Sequence, residues 1–312
     1  MYHNNIEVGV SGKFKLTVSN PTTGEERELP WFDNLILNNG LDKIGSGDSA
    51  LVTYCCVGSD STPPDVNQVG VLSIVGSGIA VKADEDVSGV SAVAPYYGYQ
   101  RRKFVFPANS VVGNLTEISV GWAANNTSAF SRTLIKDGNT PVTLTILADE
   151  ILTVVYELRI YMETSVVGNL PLPIGEIVHD VTIVPSYGND HTYWGGKIGS
   201  ETLLSGMSNN SVKYYDGFLN NPFSYPTGNT ISPLGTCPPM VTLPYTNGNY
   251  YRDFTYNCNA GSCNLVGGIR SLMWRLGGTF GAFQFEFDPP IAKTSESTFT
   301  FTLRYLWNRH TL

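Results

Sequence analysis

Short stretches in which apolar and polar residues alternate recur along this chain, and turn-forming residues separate them. Residues 14–18 have the two-residue period of a strand, and they end at a turn over residues 20–24. Further strands are predicted at 51–57, 69–74, 100–106, 117–122, 131–135, 142–146, 152–161 and 177–184. Asp137-Gly138, between two of these strands, indicates a hairpin. This pattern is typical of an all-β protein.

One segment departs from the strand pattern. Leu37, Leu41 and Ile44 recur at the spacing of a helix face, which predicts a helix within residues 34–44. The sequence Asn-Asn-Gly at 38–40 has low helix propensity, so the helix is expected to be short or broken.

The second half of the chain resembles the first. Phe104 is matched by Phe254 at an offset of 150 residues, and Trp122 is matched by Trp274 at an offset of 152. Both copies end in an alternating strand. A repeat of this length corresponds to a whole domain and not to one unit of a solenoid.

Composition agrees with this interpretation. The 312 residues include 32 glycines and 17 tyrosines, and only 15 % of them are charged, as expected of many short strands joined by turns. We predict two tandem antiparallel β-sandwich domains, jelly-roll or immunoglobulin-like, with little helix. The first spans residues 1–165 and the second 166–312, where the aromatic-rich stretch 185–249 is expected to form long loops.

Charge and hydropathy exclude some partners. The formal net charge of −8 opposes binding to a nucleic-acid backbone. The one basic run, at residues 101–103, is interpreted as an exposed strand edge. No apolar stretch approaches the roughly 20 residues of a membrane span, and residues 1–5 lack the pattern of a secretion signal. We therefore expect that the protein is made in a cytoplasm and does not insert into a membrane.

Candidate catalytic residues are scattered. His179 and Asp180 are neighbours in a strand pattern, so their side chains point to opposite faces and cannot hold one metal ion together. The glycine-rich run at 195–200 lacks the Ser or Thr that a phosphate loop needs after its lysine. Glu286 and Asp288 share a strand face and would be the pair for a glycosidase. We predict no catalytic site, no cofactor and no metal, and hence a protein that is not an enzyme.

The cysteines do not form a zinc motif. Cys258 and Cys263 bracket a short loop and could form a disulfide outside a reducing compartment, and the sequence leaves this open. Cys237 has no partner at metal-ligand spacing.

Aromatic residues are abundant in the second half. On loops, Tyr and Trp side chains suit recognition of a sugar or a protein, and the alternative is that they fill the core or a subunit interface. The candidate ligand-binding residues are Tyr187, Tyr193, Trp194, Tyr214 and Tyr215.

Several segments of the chain resemble segments in one known group of proteins. The run Trp-Phe-Asp-Asn-Leu-Ile-Leu-Asn-Asn-Gly-Leu-Asp at 31–42 is similar to a segment of tail, fibre and neck proteins of tailed bacteriophages. Four further segments resemble the same proteins in order and spacing: residues 56–64, 101–122, 130–137 and 147–158. The second half keeps Trp274 and the final strand, and it lacks the Ser131-Arg132 and Asp149-Glu150 signatures.

The resemblance implies a structural component of a virion, in the tail tip, a tail fibre or a neck or collar appendage. Such a protein is assembled in the host bacterial cytoplasm and acts in assembly and host attachment. The implied partners are other tail or neck proteins, further copies of the chain, with a homotrimer as the leading state, and a glycan or protein of the host surface. We expect the first domain to dock to the virion and the second to face outward or contact the receptor.

Two other function classes remain open. A carbohydrate-binding module, or a receptor-binding protein with no fixed structural role, would use the aromatic loops of the second half. A glycan depolymerase would use Glu286 and Asp288.

Overall fold

The computed structural model describes residues 4–46, 51–81, 88–91, 93–162, 168–171, 177–186, 211–231, 241–242, 244–275 and 281–310. Within these ranges there is one α-helix, and strands and loops make up the rest. The predicted all-β fold class with antiparallel sheets and little helix is confirmed.

The first half contains the helix and the longest strands. Its elements are β1 (Asn4–Ser19), β2 (Glu26–Asp33), β3 (Leu35–Ile36), α1 (Asn38–Ser46), β4 (Tyr54–Gly58), β5 (Ile74–Val81), β6 (Ser88–Val90), β7 (Tyr97–Phe106), β8 (Gly113–Leu115), β9 (Glu117–Gly121), β10 (Ala129–Leu134), β11 (Lys136–Asp137), β12 (Thr140–Pro141), β13 (Leu144–Ile146) and β14 (Ile151–Met162).

The second half adds further strands to those sheets and forms another sheet. Its described elements are β15 (Gly168–Pro171), β16 (Val178–Pro185), β17 (Ser211–Tyr215), β18 (Thr230–Ile231), β19 (Val241–Thr242), β20 (Tyr251–Cys258), β21 (Ile269–Arg275), β22 (Ala282–Ile291) and β23 (Phe299–Arg309).

The largest sheet contains strands of both halves. Its order is β19-β20-β23-β1-β14-β7-β5-β4-β9-β10-β3, with β2 also paired to β1 and β6 to β7. The first and last strands, β1 and β23, run parallel, with Asn4 opposite Leu303 and Val10 opposite Arg309. The other paired strands of the described chain are antiparallel. A second sheet has the order β15-β16-β22-β21-β17-β18.

Strand β5 connects the two layers of the sandwich. Its first part pairs with β4, and its last two residues, Ala80 and Val81, pair with β7. The layers meet at Tyr156 of β14, whose hydroxyl accepts a hydrogen bond of 3.2 Å from Ser131 of β10. Burial of this ring between the layers raises the pKa of Tyr156 to about 12.

The two copies of the sequence repeat occupy comparable places in the sheet. Phe104 of β7 lies opposite Val154 of β14, and Phe254 of β20 lies opposite Leu303 of β23, in antiparallel pairs. Buried side chains of both halves form one hydrophobic cluster. The predicted boundary at 165 falls outside the described residues, and the division into two domains stays a prediction.

The helix and the hairpin are confirmed, whereas the strand predicted at 69–74 is wrong over most of its length and those predicted at 51–57 and 142–146 begin later, at Tyr54 and Leu144. Helix α1 begins at Asn38 and buries Leu41 and Ile44. Asp137 and Thr140 pair across a two-residue turn in which Gly138 has φ 60°. The strand predicted at 69–74 is instead a loop up to residue 73, and β5 begins at Ile74.

A helix with an Asn-Asn-Gly start forms because it packs closely. A Cβ at residue 40 would lie 2.2 Å from the carbonyl oxygen of Phe130 on β10, so only glycine permits this approach. Tertiary packing therefore overrides the low helix propensity of the segment.

Residues of the second half hold the helix in place. The Asp42 carboxylate accepts hydrogen bonds from the Tyr245 hydroxyl at 2.6 Å and from the Gly248 backbone N–H at 2.7 Å. The Trp307 indole N–H donates to the Leu41 carbonyl at 2.9 Å. These contacts connect α1 to β23 and to the loop before β20.

Replacing Asp42 with alanine is expected to lower the free energy of unfolding by about 1–3 kcal/mol, because the Tyr245 hydroxyl and the Gly248 N–H both lose their acceptor. Urea denaturation followed by tryptophan fluorescence measures the change. Glu296→Ala removes an exposed carboxylate and should change stability by less than about 0.5 kcal/mol. Equal effects of the two substitutions would contradict this account of the helix anchor.

Candidate functional site

A cluster of arginine and aromatic side chains lies on the face of β7 and β14 that is turned away from the core. Along β7, half-buried and buried residues alternate, so that Tyr97, Tyr99 and Arg101 share this outer face. The register places them opposite Tyr161, Arg159 and Glu157 of β14. We call this cluster the arginine face, and it comprises Trp31, Tyr97, Tyr99, Arg101, Glu157, Arg159, Tyr161 and His310.

Glu157 is the centre of the arginine face. Its side chain is only 2 % exposed, whereas those of Arg101 and Arg159 are 34 % and 22 % exposed. Arg101 Nε donates to one carboxylate oxygen at 2.7 Å, and Arg159 Nε donates to the other at 2.5 Å. A buried carboxylate needs such partners because desolvation disfavours its charge. Two guanidinium groups share one carboxylate, so the cluster carries a formal charge of +1.

Aromatic rings fix the planes of both arginines. The Arg101 guanidinium lies 5.2 Å from the Trp31 ring centroid and 5.4 Å from that of Tyr99. The Arg159 guanidinium lies 4.7 Å from the Tyr97 ring. These distances are within the range of cation–π attraction, which orients the cation over the ring.

The far end of the arginine face is a stack of rings. Arg159 Nη1 donates to the Tyr161 hydroxyl at 3.2 Å, and the His310 ring stacks on Tyr161 at 3.6 Å between centroids. Burial lowers the pKa of Arg159, but its hydrogen bonds to Tyr161 and Glu157 outweigh burial and raise the pKa above the ordinary value. Arg159 therefore stays charged.

The sequence analysis did not single out this cluster. Its interpretation of residues 101–103 as an exposed strand edge is wrong, because β7 pairs with β14 on one side and with β5 and β6 on the other. Arg102 in the same run is buried. The period-two patterns Tyr-x-Tyr-x-Arg at 97–101 and Glu-x-Arg-x-Tyr at 157–161 would have indicated two outer faces rich in Arg and Tyr.

The predicted ligand-binding residues lie elsewhere. Tyr187, Tyr193 and Trp194 fall outside the described residues. Tyr214 and Tyr215 of β17 are buried, at 0 % and 3 % exposure, and burial raises the pKa of Tyr215 to about 12. The Tyr214 hydroxyl lies 2.9 Å from Cys258 Sγ. Their burial favours packing, which was the alternative interpretation of these rings, and their role in binding stays a prediction.

The candidate acid–base residues are separated or engaged. His179 is buried and contacts the Pro289 carbonyl through Nδ1, whereas Asp180 is exposed on the other face of β16. Glu286 accepts from the Leu219 backbone N–H at 2.8 Å, and Asp288 pairs with Arg270 at 2.6 Å. No group of three potential metal ligands occurs among the described residues. The glycine-rich run at 195–200 lies outside them.

The cysteines of the described chain are buried and form no disulfide with one another. Cys258 and Cys263 therefore do not close the loop between them in this structure. Burial raises the pKa of the Cys55 thiol well above its ordinary value, and that of Cys56 to about 11. Cys237 lies outside the described residues.

A second buried ion pair lies on the other layer of the sandwich. Glu117 of β9 and Arg132 of β10 are both 0 % exposed, and Arg132 Nη2 and Nε donate to one Glu117 oxygen at 2.8 and 3.0 Å. Arg132 also donates to Gln68 Oε1 at 2.8 Å and to the Thr62 carbonyl at 3.0 Å.

The remaining acceptor capacity of Glu117 holds the loop between β4 and β5. Its carboxylate accepts from the backbone N–H groups of Asp60, Leu72 and Ser73 at 2.8–3.3 Å. A Cβ at residue 58 would lie 2.4 Å from Glu117 Oε1, so the close approach requires Gly58. We call Glu117, Arg132 and this loop the buried clip.

Glu150 forms a smaller contact of the same kind. It pairs with Arg27 and accepts from the Leu147 backbone N–H at 2.7 Å. The Arg27 guanidinium, and after it the Leu147 N–H, lower the pKa of Glu150 to about 2. The neighbouring Asp149 accepts a hydrogen bond from Asn20 at 2.9 Å.

Comparisons with known protein families, curated proteins and solved structures give no match to this chain. In the described part of the chain, no helix is both long enough and apolar enough to cross a membrane.

Arg132→Met should lower the free energy of unfolding by about 3–5 kcal/mol, because it leaves the Glu117 carboxylate buried without its cation. The double variant Glu117→Leu, Arg132→Met should lose less than the sum of the two single changes. Chemical denaturation of all three variants measures this. The control Lys136→Met, on the next strand, should stay within about 0.5 kcal/mol of the native protein. Additive losses would contradict the coupling.

The Glu150 contact predicts a dependence of stability on pH. Because the folded-state pKa of about 2 is below the ordinary 4.5, this contribution is complete above about pH 4.5 and is lost as the pH falls towards 2. Glu150→Gln should destabilise by about 1–2 kcal/mol at pH 7, an amount reduced by the half-exposed position of Arg27. The difference from the native protein should shrink between pH 5 and pH 3.

Thermal unfolding across that pH range measures the difference, and Glu26→Gln, which changes an exposed carboxylate of β2, serves as the control. A difference that stays constant with pH would show that the ionised form of Glu150 is not what stabilises the fold.

Proposed function

We propose that this protein is a structural component of the virion of a tailed bacteriophage, placed in the tail tip, a tail fibre or the neck. It acts in assembly and host attachment, without catalysis. The resemblance of residues 31–42, 56–64, 101–122, 130–137 and 147–158 to tail, fibre and neck proteins is the basis of the proposal.

The buried clip is the observation that carries it. Three of the segments that bear the resemblance supply part of the clip: Asp60 and Thr62 come from 56–64, Glu117 from 101–122, and Arg132 from 130–137. The buried pair of Glu117 and Arg132 therefore depends on backbone groups of the first segment for the rest of its hydrogen bonds.

The same reasoning extends to the Asp149-Glu150 signature. These two residues fasten the turn before β14 to Asn20, which directly follows β1, and to Arg27 of β2. Loops that are attached to a sheet by charged hydrogen bonds suit a particle subunit, which has to keep its shape while it binds its neighbours. We propose three copies around a common axis, because closed symmetry multiplies weak contacts.

A receptor-binding protein or carbohydrate-binding module with no fixed structural role is the second candidate. The arginine face favours it, since Trp, Tyr and Arg are the side chains that contribute most at binding surfaces. The two candidates differ in where the protein is found.

Mass spectrometry of gradient-purified particles of the phage that encodes this chain tests the proposal. The protein should be retained at a constant ratio to the major capsid protein through successive gradients, and its copy number should be a multiple of three. An abundant host cytoplasmic protein, which should decrease with each gradient, is the control. Loss of the protein from the particles, with recovery in the soluble lysate, would favour the second candidate.

A further inference from the structure

The arginine face has hydrogen-bond donors that the fold leaves unused. Arg101 is bonded through Nε, and neither of its Nη atoms has an acceptor in the part of the chain that the structure describes. Arg159 donates through Nε and Nη1, and its Nη2 likewise has no acceptor among the described residues. The Glu157 carboxylate between them already accepts from both arginines.

The charge of the face differs from that of the protein. The whole chain carries a formal charge of −8, whereas Arg101, Arg159 and Glu157 together carry +1. A single negative charge balances this excess. The planar fork of an arginine side chain matches the two oxygens of a carboxylate, and the rings of Trp31 and Tyr99 hold the Arg101 fork in one plane.

The surroundings indicate what carries the carboxylate. β7 and β14 are interior strands with paired neighbours on both edges, so a peptide cannot add to either of them as a further strand. The half-buried rings of Trp31, Tyr97 and Tyr99 offer apolar bodies with polar tips beside the arginine donors. A ligand that fits has one carboxylate, several further oxygen acceptors and apolar C–H faces.

We propose that the arginine face binds a carboxylated sugar within an acidic polysaccharide, with the carboxylate held by Arg101 and Arg159. Glu157 acts as a positioning residue that fixes the two forks. The choice of a surface polysaccharide rests on the attachment part of the proposed function, whereas binding by the purified chain does not depend on incorporation into particles. A failure of one proposal therefore leaves the other intact.

Calorimetric titration of the purified full chain with polygalacturonate tests the inference, with the fully methyl-esterified polymer as the uncharged probe. The native protein should bind polygalacturonate and not the ester. Arg101→Gln should weaken binding by about tenfold or more, because the charged hydrogen bonds to the carboxylate are lost. The control is Lys15→Gln, which removes a positive charge from β1. Because Lys15 is paired with Glu28 at 2.7 Å, this change should alter the affinity by less than about twofold.

Arg101→Lys guards against a folding artefact, since it keeps the charge beside Glu157 and removes the fork. Its unfolding midpoint should match that of the native protein, and its affinity should still fall by several-fold. Equal weakening by Lys15→Gln and Arg101→Gln would mean diffuse attraction and would overturn the proposal. So would undetectable binding of polygalacturonate, equal binding of the ester, or tighter binding of poly-L-glutamate, which would indicate an acidic protein partner.

Discussion

Strand β1 is the element on which the rest of the structure depends, because both of its edges are paired. One edge pairs with β14 over residues 8–19. The other pairs first with β23 over residues 4–10 and then with β2 over residues 13–19. Its inward side chains, among them Phe14 and Leu16, are fully buried. Without β1, two long strands would present open edges, and the second half would lose its connection to the main sheet.

Local pattern predicted what is decided locally. The alternation of apolar and polar residues identified β1, β7 and β14, and the helical spacing of Leu37, Leu41 and Ile44 identified α1. The pairing of β1 with β23 has no such signal, since it joins residues about 300 positions apart and is parallel, so no turn marks it. The pattern of residues 69–74 predicted a strand, but residues 69–73 form a loop because the backbone donors of Leu72 and Ser73 bond to the Glu117 carboxylate and not to a neighbouring strand.

The two buried carboxylates were not predictable for a related reason. Glu117 and Glu157 stand in strands at positions where a charged residue is normally taken as exposed, and the sheet register brings Arg132 and Arg101 beside them. Arg132 comes from the neighbouring strand to Glu117, whereas Glu157 has Arg101 directly opposite and Arg159 two residues further along its own strand. The arginine face was missed because its members are distributed over β2, β7, β14 and the residue just after β23.

The buried clip and the arginine face differ in whether their arginine side chains reach the surface. In the buried clip, both side chains are inaccessible, and the Arg132 donors are divided between Glu117, Gln68 and Thr62. In the arginine face, the carboxylate is buried but the two guanidinium groups reach the surface with donors unused. Full satisfaction makes the first cluster a fastening for a loop, and partial satisfaction leaves the second able to gain an external acceptor.

The arginine face contains residues from both halves of the chain. Recognition was expected in the aromatic loops of the second half, yet Tyr214 and Tyr215 from that half pack in the interior. The arginine face is built on strands of the first half, and His310, just beyond β23, closes its end by stacking on Tyr161. Because β23 also pairs with β1, the last strand both completes the main sheet and brings this histidine to the face. The arginine face therefore does not end at the middle of the sequence, since it draws on strands of the first half and on His310 near the end of the second.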